Sequence, residues 1–174
     1  MSSEWFFKER VVACCMREKL PYRPNVCIIA FRDDQFLLVN RVCDEPGEWK
    51  FPQGGVDNGE DVISAAQREF LEELGTNTIS VVGVSKHTNK YEWPDEQIAR
   101  YYEKHGNRWR GQKQRFVIAR FTGSEDDFTL EKDELRAHKW VSRKEVQAFD
   151  EDTEHKHFAH YNHAIRSVLE EFNL

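Results

Sequence analysis

Residues 54–76 read GGVDNGEDVISAAQREFLEELGT, and this stretch decides how the rest of the chain is interpreted. Apolar residues recur in it at intervals of four from Val62 to Leu74, which is the spacing of one face of an α-helix. The pattern predicts a helix over Asp61–Leu74. The two glycines at the beginning of the stretch predict a bend, followed by a loop that leads into the helix.

The predicted helix carries three carboxylates on one face. Glu69 and Glu73 are i,i+4 neighbours, and Glu72 lies beside them. Like charges at this spacing cost about 0.2–0.5 kcal/mol per pair, and the C-terminal end of a helix disfavours anions. A hard divalent cation such as Mg²⁺ takes oxygen ligands and would compensate this repulsion. The alternative is an ordinary solvated acidic face.

The whole stretch is similar to a Nudix box, the signature of hydrolases that cleave a nucleoside diphosphate linked to another group. The positions that carry the resemblance are Gly54, Glu60, Arg68, Glu69, Phe70, Glu72, Glu73 and Gly75. Thr76 departs from the pattern, because a bulky aliphatic residue is usual there. That position packs a turn and takes no part in chemistry, so the resemblance stands.

Four segments that flank the box narrow the resemblance to a subfamily. They are Tyr22–Val26, Trp49–Gly55, Gly111–Phe116 and Trp140–Ser142. Their combination is similar to the bacterial RNA 5′-pyrophosphohydrolases and to the related asymmetric dinucleoside tetraphosphate hydrolases. The resemblance implies an α/β fold, the Nudix sandwich of a mixed β-sheet between helices (α/β/α). It divides the chain into an N-terminal helical extension over residues 1–21 and a Nudix hydrolase domain over residues 22–174.

The rest of the chain predicts the other elements of such a fold. Strands are expected at Asn25–Phe31 and Gln35–Val39 as a hairpin, and at Trp49–Gln53, Ile79–His87, Arg115–Phe121 and Ala137–Val141. Helices are expected over Glu4–Lys19, from Ser142 to Phe149, and over Phe158–Phe172. The stretch Thr88–Gly111 is long, polar and aromatic, and is interpreted as a functional or disordered loop.

Composition excludes several classes of protein. A chain of 174 residues fits one domain that buries about 70 % of its unfolded surface. It contains no run of 18 apolar residues, so no membrane partner is expected. The cysteines at positions 14, 15, 27 and 43 show no metal-ligand spacing, which indicates reduced thiols in a cytoplasmic protein. Nothing in the sequence indicates a protein partner.

The charge distribution bears on nucleic-acid binding. A net charge of −6 argues against broad, salt-driven binding to nucleic acid, but it allows recognition of a short 5′ end by a local basic site. Such a basic stretch exists between residues 99 and 115. It contains Arg100, Lys104, Arg108, Arg110, Lys113 and Arg115 against the single acid Glu103.

The resemblance implies a set of metal ligands and catalytic groups. The expected ligands are Glu69, Glu72 and Glu73, the backbone carbonyl of Gly54, and a further glutamate from the loop before the last strand. Glu134, six residues before Trp140, matches that glutamate, with Glu131 and Asp133 as nearby alternatives. Two or more Mg²⁺ ions are expected, with Mn²⁺ as the alternative. Glu69, Glu72 and Glu134 are the catalytic candidates, and either Glu69 or Glu134 could accept the proton of the attacking water.

Other positions of the stretch are interpreted as structural. Arg68 can pair with Glu60 and orient the neighbouring carboxylates, or pair with Glu72 at i,i+4. Gly55, together with Gly54, would let the backbone approach phosphates closely. Gly75 completes this structural set.

Substrate contacts are expected from arginines first. Arg23 and Arg41 suit phosphate contacts and base stacking. The further candidates are Lys113, Gln53, Tyr91, Trp93 and Phe158. Lys113 can equally be an exposed lysine of a strand edge, and each aromatic residue taken alone is interpreted first as a packing residue and second as a surface on which a base could stack. The histidines at positions 155, 157, 160 and 163 have irregular spacing, which does not indicate a zinc site.

Three functions are compatible with these residues. The first is a Mg²⁺-dependent pyrophosphohydrolase that acts on the 5′ triphosphate or diphosphate end of RNA and leaves a monophosphate. The second is a dinucleoside polyphosphate hydrolase, for example one that cleaves diadenosine tetraphosphate to ATP and AMP. The third is a catalytically silent nucleotide-binding module, which is disfavoured because none of the box glutamates is lost.

Overall fold

The computed structural model describes residues 17–44, 47–106, 109–148 and 162–174. The strands are β1 (Tyr22–Arg32), β2 (Gln35–Arg41), β3 (Gln53–Gly55), β4 (Ile79–Glu92), β5 (Gly111–Phe121) and β6 (Leu135–Ser142). The helices are α1 (Val62–Leu74), α2 (Asp95–His105), α3 (Arg143–Ala148) and α4 (Asn162–Glu171), with a 3₁₀ turn at Glu125–Asp127. None of the helices in these ranges is long and apolar enough to cross a membrane.

All six strands belong to one sheet in the order β4-β5-β1-β2-β6, and β3 pairs with β1. The predicted hairpin of β1 and β2 is confirmed, with Phe31 opposite Phe36 and Arg32 opposite Gln35. Asp33 has φ 48° in the turn between them, a left-handed conformation that short polar residues tolerate. The other predicted strands at β4, β5 and β6 are confirmed and extend beyond their predicted ends.

The described residues form two compact units, one comprising the chain up to Arg23 with Lys90–Lys113, the other Pro24–Asn89 with Gln114–Leu174. In the larger unit, alternate residues of β1 enter two separate apolar clusters. Val26, Ile28 and Ala30 pack with the apolar side of α1, whereas Cys27, Ile29 and Phe31 pack with residues of α3 and α4. Helices therefore cover both faces of the sheet, which confirms the predicted α/β/α architecture.

Helix α1 begins and ends where the sequence predicted. The Oδ1 atom of Asp61 accepts hydrogen bonds from the N–H groups of Ile63 (2.9 Å) and Ser64 (3.1 Å), which caps the first turn. Gly75 ends the helix with φ 73°. The residues that recur at intervals of four, Val62, Ala66, Phe70 and Leu74, are all buried. They therefore lie on the side of α1 that faces the core.

The prediction of a long loop over Thr88–Gly111 is wrong. Strand β4 continues to Glu92, and α2 occupies Asp95–His105. No side chain of α2 is fully buried, and its apolar stripe is short, limited to Ile98, Tyr101 and Tyr102 at i, i+3 and i+4. Further signals lie at its ends: acidic residues in the first turn, Lys104 and His105 in the last turn, and Gly106 with φ 70° as C-cap.

The strand and bend predicted around residues 49–55 are also wrong. Lys50 forms only an isolated bridge with Val39, and the strand lies later, at Gln53–Gly55. Gly54 is therefore part of a strand, opposite Val26 of β1, and not a bend. A Cβ atom at Gly54 would lie 1.7 Å from Cδ of Glu69, so the glycine is needed for the close approach of that carboxylate.

Three predictions reach outside the described residues. Most of the predicted helix Glu4–Lys19 lies there, and so do Phe149 and the first residues of the helix predicted over Phe158–Phe172. Within the described ranges, the helix after Ser142 is present as α3. The hydroxyl of Ser142 accepts from the N–H of Glu145 (3.3 Å), and the Glu145 carboxylate accepts from the N–H of Ser142 (2.8 Å).

The segment before β6 is attached to the C-terminal end of α1 by its backbone. The N–H of Thr129 donates to the carbonyl of Leu74 (2.8 Å), and the N–H of Glu131 donates to the carbonyl of Glu73 (3.0 Å). These bonds satisfy carbonyls that a helix end leaves without partners. The approach is so close that a Cβ atom at Gly75 would lie 2.5 Å from the carbonyl oxygen of Thr129.

Replacing Gly75 with alanine should destabilise the protein more than the same change at Gly106. Both glycines are left-handed C-caps, with φ 73° and 70°, so both variants bear the strain of about 1–2 kcal/mol. Only Gly75→Ala also meets the backbone of Thr129, which adds about 1–3 kcal/mol of overpacking. Urea unfolding of the two variants measures the difference. Equal losses would contradict the contact with Thr129.

Candidate metal centre

The side chain of Arg68 joins three carboxylates and a backbone carbonyl. Its Nε and Nη2 atoms donate to the two oxygens of Glu60 at 3.0 and 2.8 Å, and Nη2 also donates to the carbonyl of Gly55 at 2.8 Å. Its Nη1 atom donates to Glu69 (2.9 Å) and Glu72 (3.2 Å). Both pairings expected from the sequence, with Glu60 and with Glu72, are present together. The hydrogen bonds from Arg68 hold the pKa of Glu60 below its usual range.

Glu73 is the buried member of the carboxylate group. It is 2 % exposed, and its Oε2 atom has no hydrogen-bond partner within the described part of the chain. Burial raises the pKa of Glu73 to about 8; Arg41 opposes this rise, whereas the charges of Glu69 and Glu134 add to it. The backbone N–H of Gln53 hydrogen-bonds the same carboxylate. An acceptor oxygen is thus held in the interior without a donor.

Glu69 and Gly54 are brought together by α1 and β3. The carboxylate of Glu69 occupies the place where a Cβ atom of residue 54 would lie, with all three of its terminal atoms within 2.2 Å of that position. The Glu69 side chain is 14 % exposed, whereas that of Glu72 is 58 % exposed. The three glutamates therefore lie in three different environments, although they share one face of the helix.

Glu134 belongs to the same electrostatic group. It lies exposed on the loop before β6, where its N–H donates to the carbonyl of Glu131 (3.0 Å). Its own carbonyl accepts from the N–H of Val42 (2.9 Å), which ties this loop to the end of β2. The charge of Glu134 acts on both Glu73 and Arg41. The structure thus associates Glu134 with the carboxylates of α1.

Arg41, expected as a substrate contact, lies beside these carboxylates. It is half-buried, and its Nε atom has no hydrogen-bond partner among the described residues. Burial lowers the pKa of Arg41, but the neighbouring Cys43, Glu73, Asp44 and Glu134 outweigh that effect and raise it. Arg41 therefore supplies positive charge to the buried Glu73, whatever else it contacts.

The residues present suit a hard cation without forming a finished site. Within the described ranges, no three Asp, Glu, His or Cys side chains form a ready cluster of metal ligands. Arg68 instead holds Glu69 and Glu72 by hydrogen bonds, while Glu73 retains a buried oxygen without a donor. All the candidate donors are carboxylate or carbonyl oxygens, the ligands that Mg²⁺ and Mn²⁺ prefer. Such an ion fits this donor set.

Several predicted substrate residues belong to the smaller unit. The guanidinium of Arg23 lies over the ring of Tyr101, with its Cζ atom 5.5 Å from the ring centre. The hydroxyl of Tyr91 donates to the side-chain oxygen of Gln112. Lys113 is exposed, at the position that the alternation of β5 turns towards solvent.

Of the two remaining aromatic candidates for base stacking, Trp93 and Phe158, the structure describes only Trp93. Trp93 is 3 % exposed and packs on Tyr101, with ring centres 5.2 Å apart, so it is a packing residue of its unit. Phe158 lies outside the described residues. Three of the four clustered histidines, at positions 155, 157 and 160, lie outside them as well.

Comparison with known proteins assigns the family. A family model described as "NUDIX domain" matches residues 21–161. The chain belongs to the Nudix hydrolase family. Nudix hydrolases generally use divalent metal ions, in agreement with the oxygen donors collected here.

This Nudix hydrolase is also similar to individual known proteins. It is 41 % identical over 115 residues to the RNA pyrophosphohydrolase of Caulobacter vibrioides (strain NA1000 / CB15N), over 65 % of this chain and 66 % of that protein. It is 34 % identical over 135 residues to the RNA pyrophosphohydrolase of Sphingopyxis alaskensis, over 75 % of this chain and 84 % of that protein. The E. coli dihydroneopterin triphosphate pyrophosphohydrolase shares the fold, with a TM-score of 0.57 at 20 % identity over 74 % of this chain and 87 % of the other.

One group of buried amides in this Nudix hydrolase was not predicted from the sequence. Gln114, Asn25 and Asn89 are buried amides that connect to Gln53 by hydrogen bonds. A signal existed, since Gln114 alternates in β5 with the exposed Lys113 and Arg115 and so shares the buried side of the strand.

The raised pKa of Glu73 predicts a pH dependence of stability for the metal-free protein. Its folded-state pKa of about 8 exceeds the ordinary 4.5, so the unfolded chain releases this proton first and stability falls as pH rises between these values. Glu73→Gln removes this contribution. Relative to that variant, the parent should lose at most about 1.4 kcal/mol per pH unit in this window.

Urea unfolding in EDTA at pH 5.5 and pH 7.5 measures this loss. Glu72→Gln is the matched control, because it removes a largely exposed carboxylate of the same helix and should follow the parent. An identical pH dependence in Glu73→Gln and the parent would contradict the raised pKa of the buried Glu73.

Proposed function

We propose that this Nudix hydrolase removes pyrophosphate or phosphate from the 5′ end of tri- or diphosphorylated RNA and leaves a 5′ monophosphate, with Mg²⁺ as cofactor. The observation that carries the proposal is the 41 % identity to the Caulobacter RNA pyrophosphohydrolase over 65 % of the chain. The oxygen-only donor set around Glu73 supports it. The free thiols of Cys27 and Cys43 agree with a cytoplasmic location, which is part of the same proposal.

The first role of the site residues is to hold the ions. Glu69, Glu72, Glu73 and Glu134, with the backbone carbonyl of Gly54, are the proposed ligands. Bound divalent ions neutralise phosphate charge and lower the pKa of a coordinated water. Arg68, fixed by Glu60, holds two of these carboxylates in place by hydrogen bonds, which supports an orienting role.

The second role is proton transfer. A water oxygen forms a bond to phosphorus, the anhydride P–O bond breaks, and the proton of the water passes to a carboxylate. Glu69 and Glu134 are the two candidates. Glu69 lies against the backbone of Gly54 and is mostly buried, whereas Glu134 is exposed on its loop. Both remain open as acceptors of this proton.

The third role is substrate binding, which we assign first to Arg23. The residue is half-buried, its guanidinium lies over an aromatic ring, and arginine can contact phosphate in a bidentate manner. The remaining proposed contacts are Arg41, Lys113, Gln53, Tyr91 and Phe158. Lys113 is exposed and able to meet a phosphate, which supports its place in this group.

The substrate is tested by comparing rates with Mg²⁺ on 5′-triphosphorylated RNA, 5′-diphosphorylated RNA and diadenosine tetraphosphate. We expect the highest kcat/KM on one of the RNA ends and a 5′-monophosphorylated RNA as product. Glu72→Gln, purified in the same way, reports any contaminating hydrolase. Faster cleavage of the dinucleotide would replace the proposal with the dinucleoside polyphosphate hydrolase, and activity on none of the three would contradict both.

The assignment of Glu134 is tested against its neighbours. Glu134→Gln should lower kcat by about 10²–10⁴-fold if this side chain binds the ion or accepts the proton. Glu131→Gln and Asp133→Asn are matched controls, since both side chains are exposed on the same loop, and both should retain the parent rate. Single-turnover assays with diphosphorylated RNA measure these rates. A large loss in Glu131→Gln with none in Glu134→Gln would move the role to Glu131.

A further inference from the structure

A chain of hydrogen-bonded amides is buried in the larger unit. Gln114 is 0 % exposed, Asn25 1 % and Asn89 9 %. The Nδ2 atom of Asn89 donates to Oε1 of Gln114 (2.9 Å). The Nε2 atom of Gln114 donates to the side-chain oxygens of Asn25 (3.1 Å) and Gln53 (2.5 Å). Both hydrogens and the oxygen of the Gln114 amide are therefore in use, which fixes its orientation.

Stability alone does not explain an amide at this position. The residues that follow in β5, Phe116, Val117 and Ile118, are fully buried and apolar. An apolar side chain would fill the place of Gln114 without the desolvation cost of an amide. The network also leaves the Nδ2 atom of Asn25 buried without a partner among the described residues. The arrangement of these amides therefore does not give every buried donor a partner within the described ranges, which indicates that it is retained for another reason.

The network ends on the only side chain that β3 itself carries. This strand consists of Gln53, Gly54 and Gly55, so Gln53 supplies its only side chain. The backbone N–H of Gln53 hydrogen-bonds the Glu73 carboxylate. The next residue, Gly54, lies against the carboxylate of Glu69. A shift of Gln53 would therefore move the backbone that meets two of the proposed metal ligands.

We infer that Gln114 is a positioning residue of the metal centre: it holds the side chain of Gln53 and thereby sets the backbone of β3 against Glu73 and Glu69. The inference rests on the proposed function, because it concerns the site that this function uses. Gln114 acts through Gln53 and needs no contact with the ion or the substrate. Groups that orient metal ligands in this way commonly change metal affinity about 10–100-fold when they are replaced.

The test is Mn²⁺ binding to the metal-free protein, measured by calorimetry without substrate. Gln114→Met has a similar length but can neither donate to Gln53 nor accept from Asn89, and its Kd for Mn²⁺ should rise about 10-fold or more. Gln53→Leu removes the same hydrogen bond from the side of Gln53, which is half-buried. If Gln114→Met does not fold, the Kd of Gln53→Leu for Mn²⁺ provides the test. The double variant should bind Mn²⁺ no more weakly than the poorer single variant, because both changes break one link.

Activity separates positioning from a general loss of structure. In Gln114→Met the Mn²⁺ concentration for half-maximal rate should rise, and the KM for RNA at saturating Mn²⁺ should rise by a smaller factor, because Gln53 is also a proposed substrate contact. Ser85→Ala is the matched control: it removes a hydrogen bond of another buried polar side chain of the same unit, from Ser85 Oγ to Glu171 (2.5 Å). That variant should bind Mn²⁺ like the parent.

The possible outcomes are distinct. A folded Gln114→Met that binds Mn²⁺ as the parent does would overturn the inference, and so would losses that simply add in the double variant. A parent that binds no Mn²⁺ would overturn the metal centre and the inference together. A parent that binds Mn²⁺ but hydrolyses no RNA would overturn the proposed function alone, and weaker Mn²⁺ binding by both single variants would still support the inference.

Discussion

The hydrogen bonds of Arg68 are the interaction on which the rest of the site depends. One guanidinium meets Glu60 from the loop before α1, Glu69 and Glu72 from α1 itself, and the carbonyl of Gly55 from β3. Three negative charges would otherwise repel one another within a few ångströms, in a region where water screens them incompletely. Only arginine has enough donors, in a rigid planar fork, to serve a loop, a helix and a strand simultaneously. A lysine would preserve the charge but lose the geometry.

The sequence predicted the elements whose local signals agree with one another. For α1, the apolar spacing, the cap at Asp61 and the glycine at position 75 all mark the same segment. For α2, the apolar spacing covers only Ile98, Tyr101 and Tyr102, and the terminal charges and Gly106 were its other signals. Strand β3 has almost no signal of its own, since two of its three residues are glycines. Its pairing with β1 is decided by parts of the chain distant in sequence.

The candidate metal centre was likewise predicted in part. Helical spacing predicted that Glu69, Glu72 and Glu73 share a face, and Arg68 pairs as its position suggested. Spacing cannot predict that one of these carboxylates is enclosed while another is largely exposed, because that difference arises from the packing of β3 and of the segment before β6. A buried amide such as Gln114 is marked only by its alternation with the charged Lys113 and Arg115, since an amide has no apolar character of its own that would indicate burial.

The attachment of the Glu134 loop has a consequence for how such an enzyme can diversify. Its two anchors to α1, from Thr129 to Leu74 and from Glu131 to Glu73, join backbone atoms only, and so does its bond to Val42. Bonds of this kind persist when side chains are exchanged, so natural variation can remodel the exposed surface of this loop without detaching it from the helix. New substrate preferences can accumulate at the loop positions around Glu134 over generations, while that glutamate and the carboxylates of α1 are inherited unchanged. With Glu134 kept fixed, the loop is consequently a suitable place for a randomised library in directed evolution.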